Sequence, residues 1–375
     1  MEKMTSIEKK KEVNNSSVDV ATFSDNKDIN SGNKEMEETK DINRDVSSTV
    51  EQNTDYLGSD GFEQTSPKEL SEKIDSVIET KEYKHWNSPE EAKLNRIVIQ
   101  DYDSKKRSVD LASLKMQRDI LTKYPECFDR NNLERMHKEF GSNKTEIYNE
   151  AYFLAHKAPP DTRYSKVTGL REFPSGKVCV RDSSDVDRLK HTAAHETMHD
   201  LSYQSDNHMS NTLEREDGKL ETKSKKELRS GIEIVDESMT IVDGNVESSE
   251  KYVYNKYLNE GITEMYTIET LQSRGEIPKF DSYTYEVGFA LNIREKVGDE
   301  LIAKAYFGGD ISLLKSYIDQ NSSIPDAWDK LNRYIDNFHK SGDVRYKIAA
   351  DEIINSIEDD GNNIKVKVLS KGRTS

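Results

Sequence analysis

The stretch HTAAHETMHD, residues 191–200, places three of the chain's eight histidines within nine positions. An α-helix turns by 100° per residue, so His195 and His199 leave one face of the helix, one turn apart. Apolar residues occupy much of the remaining circumference: Val186, Leu189, Ala193, Ala194, Met198 and Leu201. We therefore expect a largely buried helix, capped by Ser183 or Ser184, whose polar side is the histidine pair.

His195, Glu196 and His199 form the pattern His-Glu-x-x-His. In this pattern the two histidines bind zinc, while the adjacent glutamate stays off the metal and takes the proton of a zinc-bound water. Histidines at i and i+4 span one edge of a tetrahedron, and a carboxylate at i+1 reaches the open coordination position. The sequence thus predicts two zinc ligands and a catalytic base, but the site needs a third ligand.

Three neighbouring polar residues are poor candidates for that ligand. His191 continues the i+4 series, but it lies about 12 Å from His199 along the helix axis, so three ligands in one row cannot close a tetrahedron. We expect His191 to be a helix-packing or surface residue. Asp200 points about 140° away from His195 and is expected to be structural, and His208 lies in a polar stretch and is expected to be solvated.

The missing ligand is predicted in a second helix, KYLNEGITEMYT, residues 256–267. Its apolar face consists of Leu258, Ile262 and Met265. Glu260 and Glu264 lie 40° apart on the opposite face. Two such carboxylates usually mark a solvated surface. Here the small residues Gly261 and Thr263 beside them would let another helix approach closely.

The motifs HETMH and NEGITE together resemble the gluzincin metallopeptidases, the thermolysin-like group, and the small bacterial zincin-like proteins. The resemblance covers about residues 178–270. It implies that Glu260 is the third zinc ligand and that Glu264 orients a zinc-binding histidine, although Glu264 stands where Asp is more familiar. It also implies one Zn²⁺ per chain and hydrolysis of peptide bonds by a zinc-bound water that Glu196 activates.

The resemblance also suggests where a substrate would bind. Val178, Cys179 and Val180 lie in the strand just before the zinc helix, where gluzincins present an edge strand to an extended peptide, so we expect main-chain pairing there. Tyr283 and Tyr285, which follow the ligand helix, are candidates to stabilise the oxyanion, with aromatic packing as the alternative role.

Two features depart from the resemblance. Sixty residues separate His199 from Glu260, and this interval contains the polar stretch 206–226, which we expect to be a long surface loop, with a mobile lid as the alternative. The aminopeptidase motif Gly-x-Met-x-Asn is also absent, so the resemblance does not imply trimming of free N-termini.

Composition sets the domain boundaries. Of the 375 residues only 33% are hydrophobic and 34% are charged. In residues 1–81 the apolar residues are isolated from one another. This composition predicts a disordered acidic tail. A helix at 68–79 within this tail is expected to be transient. A zincin-like metallopeptidase domain is expected at 82–357 and a C-terminal tail at 358–375, where 365–368 form a short strand or frayed end.

The predicted fold class is α+β, with a small sheet, the HExxH helix and a helical C-terminal lobe. The sheet includes a hairpin of residues 167–170 and 177–181, and a short strand is expected at 97–99. The lobe comprises helices at 283–297, 301–307, 311–317, 327–339 and 344–357. The lobe would form the second wall of the active-site cleft.

Charge and apolar content limit the partners. The formal charge of −16 argues against binding of nucleic acid and of anionic lipid surfaces. No stretch of 18 apolar residues occurs, which argues against a membrane partner. The expected partner is therefore a peptide or protein substrate. Cys127 and Cys179 are expected to be free thiols. The expected location is cytoplasmic, with export without a cleaved signal peptide as the alternative. The oligomeric state is not predicted.

Two other functions stay open from the sequence. The first is a catalytically silent zincin-like module that binds or regulates, against which the intact Glu196 argues, because a structural metal site has no use for a base. The second is a metal-free helical interaction protein in which both motifs are coincidental.

Overall fold

The computed structural model describes residues 66–80, 84–85, 89–138, 142–143, 145–158, 167–172, 175–215, 217–279 and 283–358. These residues form an α+β fold. The remainder of the predicted disordered tail, at 1–65, lies outside the described residues. So do residues 359–375, which include the predicted strand or frayed end at 365–368.

The first half of the chain alternates short strands with helices. Its elements are α1 (Pro67–Thr80), β1 (Lys84–His85), α2 (Pro89–Val98), α3 (Tyr102–Lys123), a 3-10 turn (Pro125–Cys127), α4 (Arg130–Lys138), β2 (Ser142–Asn143), β3 (Thr145–Tyr148), α5 (Glu150–His156), β4 (Gly169–Glu172) and β5 (Lys177–Arg181).

The second half begins with the histidine-rich helix. Its elements are α6 (Val186–Leu201), β6 (Gln204–Glu214), β7 (Leu220–Ser230), β8 (Glu233–Val242), β9 (Asn245–Tyr254), α7 (Lys256–Ser273), α8 (Thr284–Val297), α9 (Asp299–Gly308), α10 (Ile311–Asn321), α11 (Ala327–Ser341) and α12 (Val344–Ser356). The five predicted C-terminal helices are confirmed, with ends that shift by a few residues.

Helix α6 is buried because it packs between a sheet and the helical lobe. The sheet has the order β3-β5-β4, with β3 parallel and β4 antiparallel to β5, which confirms the predicted hairpin. Leu189 and Ala193 of α6 join a core with Ile147, Val178 and Val180 of this sheet. Other α6 residues, namely Ala194, Met198 and Leu201, join the large core of α7 to α12.

Two predictions in the first half are wrong. Residues 67–80 form a stable part of the fold, because Leu70 and Ile74 of α1 are fully buried in the large core, so the predicted tail boundary at 81 is too late. Residues 97–99 do not form a strand. The run is only three residues long and lies at the end of α2, which begins at Pro89, a residue favoured at the first position of a helix.

The stretch 206–226 is not a loop, as was predicted. It belongs to β6 and β7 of a four-stranded antiparallel meander, β6-β7-β8-β9, inserted between α6 and α7. All ten residues of β9 are exposed, so the sheet lacks the one-sided apolar alternation by which strands are usually found. The turn pair Asp243-Gly244, both with positive φ, is the sequence signal for its last hairpin.

Candidate metal centre

Helix α6 positions the histidine pair. The helix begins at Asp185, whose carboxylate accepts hydrogen bonds from the backbone N–H groups of Asp187 and Arg188, so the cap lies one or two residues later than predicted. The ring centroids of His195 and His199 are 4.9 Å apart. Their imidazoles face helix α7, which carries Glu260 and Glu264.

Helix α7 brings Glu260 to both imidazoles. Oε2 of Glu260 lies 3.4 Å from Nε2 of His195 and 3.3 Å from Nε2 of His199. A Cβ at Gly261 would lie 2.3 Å from the backbone oxygen of Glu286, so only glycine permits α8 to pack this closely against α7. The predicted close approach at Gly261 is therefore confirmed, and the carboxylate face of α7 is buried instead of solvated.

Three donor atoms lie close enough to share one metal ion. Among the described residues, His195, His199 and Glu260 are the group whose donor atoms all lie within 4.8 Å of one another. Tetrahedral zinc with bonds of about 2.0–2.1 Å to nitrogen and oxygen has ligand–ligand edges of about 3.3–3.4 Å. The two N–O distances match these edges, so the residues present fit zinc in number and chemistry and in these two spacings.

Glu264 holds the first histidine in place. Its Oε2 lies 2.6 Å from Nδ1 of His195 and its Oε1 lies 2.8 Å from Nε2 of His191. Burial opposes ionisation of Glu264, but the hydrogen bonds from His191 and His195 lower its pKa to about 2. The ionised carboxylate can only accept, so Nδ1 of His195 donates to it, and this contact turns Nε2 of the same ring toward Glu260.

His191 therefore has a role that was only partly predicted. It is buried, as a helix-packing histidine would be, and it lies outside the group formed by His195, His199 and Glu260. Its contact to Glu264 could have been anticipated from the i, i+4 spacing to His195, which puts both imidazoles within reach of one carboxylate on a facing helix.

The second histidine is oriented by groups that the sequence did not reveal as functional. The hydroxyl of Thr263 lies 3.4 Å from Nδ1 of His199 and donates to the backbone oxygen of Asn259 at 2.8 Å. The hydroxyl of Tyr306 on α9 lies 2.7 Å from the same Thr263 oxygen. Thr263 was singled out only for its small size.

The charges at the site are strongly coupled. Burial opposes the charged form of His195, but hydrogen bonds to Glu260 and Glu264 outweigh it and raise the histidine's pKa. Burial also opposes the charged form of Glu260, whose pKa nevertheless falls below its ordinary value because of His199 and His195. Glu196 has a raised pKa, because burial outweighs the attraction of the two histidines.

Glu196 lies under strand β4. A Cβ at Gly169 of β4 would lie 2.9 Å from Cγ and 3.0 Å from Oε1 of Glu196, so the strand backbone passes directly over this carboxylate. Strand β4 has a partner on one side only within the described residues, which leaves its outer edge free. This free edge runs beside the predicted catalytic base.

The prediction for Val178, Cys179 and Val180 is wrong. They lie in β5, the central strand, whose backbone pairs with β3 on one side and β4 on the other. All three side chains are buried. The sequence predicted the hairpin but not β3. Strand β3 lies about thirty residues upstream and pairs with the second edge of β5.

Of the two predicted tyrosines, only Tyr283 reaches the site. Its ring stacks over His195 with centroids 6.0 Å apart, and the charge of Glu260, together with burial, raises its pKa above the ordinary value. Tyr283 has a φ of 60°, a strained conformation for a non-glycine residue. Tyr285 is 57% exposed and packs edge-on against Phe338, away from the metal ligands.

His339 is a further residue near the site that sequence reasoning missed. Its ring centroid lies 6.3 Å from that of Tyr283, and its Nδ1 lies 2.6 Å from Oε1 of the buried Glu286. The sequence carried no signal for this contact, because His339 on α11 is 140 residues from His199 along the chain.

The predictions for Asp200, His208 and the two cysteines are confirmed, apart from the element that carries His208. Asp200 is structural, since it accepts from Arg135 and from Arg171 at 3.0 Å each. His208 is exposed, although on strand β6 and not in a loop. Cys127 and Cys179 are free and buried.

No protein-family model, curated protein or solved structure matches this chain. Among the described residues, no helix has the length and apolar content needed to cross a membrane.

Proposed function

We propose that the chain is a zinc-dependent peptidase of the gluzincin type. The observation that carries the proposal is the position of Glu260, whose Oε2 lies 3.3–3.4 Å from Nε2 of both histidines of the HExxH motif. Two motifs sixty residues apart in the sequence thus supply the three donor atoms of one proposed site. The HExxH motif precedes the glutamate ligand, as it does in this group of enzymes.

His195, His199 and Glu260 would hold the zinc, with Glu264 and Thr263 fixing the two imidazoles. Zinc held by three protein ligands polarises a water in the fourth position and lowers its pKa toward neutrality. The proposed ligand set accords with a catalytic site, because a structural zinc is ordinarily closed by a fourth protein side chain.

Glu196 would take the proton of that water and later return it to the leaving amine. A general base works best when its pKa lies near the working pH, and burial raises the pKa of Glu196 in that direction. Its side chain is packed under Gly169, so its position is fixed before substrate arrives.

The free edge of β4 would bind the substrate as an additional strand. Backbone pairing along this edge would place an extended peptide beside Glu196, and main-chain hydrogen bonds would supply affinity largely independent of side chains. Strand β4 thus takes the role that was predicted for β5.

Tyr283 and His339 would form the opposite wall and donate hydrogen bonds to the carbonyl oxygen as it gains negative charge. The raised pKa of Tyr283 keeps its hydroxyl protonated and therefore able to donate. The strained backbone at Tyr283 accords with a functional placement, since such strain collects at active sites.

The alternative is a catalytically silent module in which zinc is structural. The two functions are separated by Glu196→Gln in the full chain, with Glu295→Gln, an exposed residue of α8, as the control. We expect one zinc per chain in all three proteins by elemental analysis, and cleavage of a random peptide library by the wild type and Glu295→Gln only.

Glu260→Ala tests the ligand set in the same experiment. We expect it to lose most of its zinc. Equal library cleavage by the wild type and Glu196→Gln would reject the peptidase, and a wild type that takes up no zinc when metal is offered would reject the metal site.

A further inference from the structure

The base of the four-stranded sheet contributes a row of side chains to the site. Gln204, Ser230 and Glu233 are directly opposed on β6, β7 and β8, so they share one face of the sheet. Gln204 donates from Nε2 to the backbone oxygen of His199 at 2.8 Å and to the hydroxyl of Ser230 at 3.2 Å. The row therefore extends from the backbone of His199, a proposed zinc ligand, to Glu233.

The turn before Glu233 is fixed to helix α7. The backbone N–H of Ile232 donates to Oδ1 of Asn259 at 3.0 Å, and Nδ2 of Asn255 donates to the backbone oxygen of Ile232, also at 3.0 Å. Ile232 is fully buried. These contacts hold Glu233 beside the turn of α7 that carries Glu260.

Glu233 has no evident structural role. Within the described residues its carboxylate makes no hydrogen bond or ion pair, although it is half-buried. The ammonium group of Lys256 on α7 lies over the ring of Tyr257, 5.6 Å from its centroid, instead of pairing with Glu233. A half-buried carboxylate without a hydrogen-bonding or charged partner is costly, and such groups are concentrated at functional sites.

The carboxylate of Glu233 lacks a direct partner. Zinc bound by His195, His199 and Glu260 would offset the charge of Glu260, but it would give Glu233 no hydrogen-bond partner. No side chain in the described part of the chain pairs with this carboxylate either. A positively charged group of a ligand is the partner that this position can take.

We propose that Glu233 forms a substrate subsite for a positively charged group, an ammonium or guanidinium, next to the metal centre. The inference rests on the proposed peptidase function and names its substrate class: peptides with Lys or Arg near the scissile bond, or with a free N-terminal amine close to it. Glu233 binds that group by an ion pair that is partly shielded from water.

The test compares matched peptide libraries in which every Lys and Arg is kept or replaced by norleucine, each with a free or an acetylated N-terminus. The full-length, zinc-loaded wild type is assayed for hydrolysis. The zinc-binding Glu196→Gln protein is assayed for binding. Both measurements are repeated with Glu233→Gln. Glu237→Gln is the control, since Glu237 lies on the same strand and face about 13 Å further out.

We expect kcat/KM and affinity to be about tenfold higher for the cationic libraries, in line with a hydrogen-bonded ion pair. Glu233→Gln should abolish this preference and leave the zinc content unchanged, while Glu237→Gln should retain the preference. Glu233→Lys should reverse it toward Asp and Glu. A preference that acetylation alone removes assigns the cation to the N-terminus, and one that norleucine removes assigns it to a side chain.

The outcomes separate this inference from the proposed function. Cleavage or binding without a cationic preference, or a preference that survives Glu233→Gln, overturns the inference but not the peptidase. Glu233-dependent binding of cationic peptides without hydrolysis by the wild type overturns the peptidase and leaves the subsite standing. Neither binding nor cleavage overturns both.

Discussion

The carboxylate of Glu264 accepts a hydrogen bond 2.6 Å long from Nδ1 of His195. This contact keeps a proton on Nδ1 and orients the imidazole so that Nε2 faces Glu260. The same carboxylate also binds His191, so this one residue of α7 contacts two histidines of α6. Its removal should therefore affect metal binding without removing a ligand.

We expect Glu264→Ala to weaken zinc binding by about 10- to 100-fold, because His195 loses the group that orients it. The measurement is a competition titration against a chelator of known affinity, with Glu295→Gln as the control. Zinc affinity equal to that of the wild type would show that packing alone orients His195.

Helices α6 and α7 could be predicted because their buried faces place apolar residues at helical spacing in the sequence. Helix α6 shows apolar residues on most of its circumference, and α7 has a distinct stripe at Leu258, Ile262 and Met265. The structure brings His195, His199 and Glu260 together as these patterns indicated. The bound zinc and the reaction remain predictions.

The errors arose where structure depends on contacts distant in sequence. Strand β5 looked like an edge strand because nothing local reveals that β3 pairs with it. Residues 206–226, which lie in β6 and β7, were predicted to be a loop because strands with exposed residues on both faces need no apolar alternation. Glu233 was overlooked for the same reason, since its proximity to Glu260 follows only from the docking of the sheet on α7.

Substitution of Gly169 tests how closely β4 packs over helix α6. In Gly169→Ala the new Cβ would lie 2.5 Å from Cγ2 of Thr192 and 2.9 Å from Cγ of Glu196, so α6 or β4 must move. We expect a loss of about 1–3 kcal/mol in the free energy of unfolding, measured in urea, and a large loss of hydrolysis.

Gly288→Ala is the matched control for that substitution. Gly288 lies inside α8 and a Cβ there would meet nothing within 4 Å, so alanine should stabilise the protein by about 0.4–1 kcal/mol. Similar behaviour of the two variants would show that β4 is not packed tightly on Glu196.

A buried carboxyl group on strand β3 should make stability depend on pH. Glu146 on β3 is fully buried. Its Oε1 accepts from Tyr102 at 2.7 Å and from Asn95 at 3.0 Å, while its Oε2 has no partner within the described residues. Burial raises the pKa of Glu146 in spite of these donors. The folded protein therefore holds this proton more tightly than the unfolded chain does.

The sign of the effect follows from that difference in proton binding. The stabilisation is fully present below the unfolded pKa of about 4.5 and is lost as the pH rises through the higher folded pKa. Glu146→Gln mimics the protonated form at every pH. Its free energy of unfolding should fall less than that of the wild type as the pH rises above 4.5, whereas the exposed Glu352→Gln should follow the wild type. Parallel curves for Glu146→Gln and the wild type, measured with chelator present in both, would mean that Glu146 is ionised in the folded protein without cost.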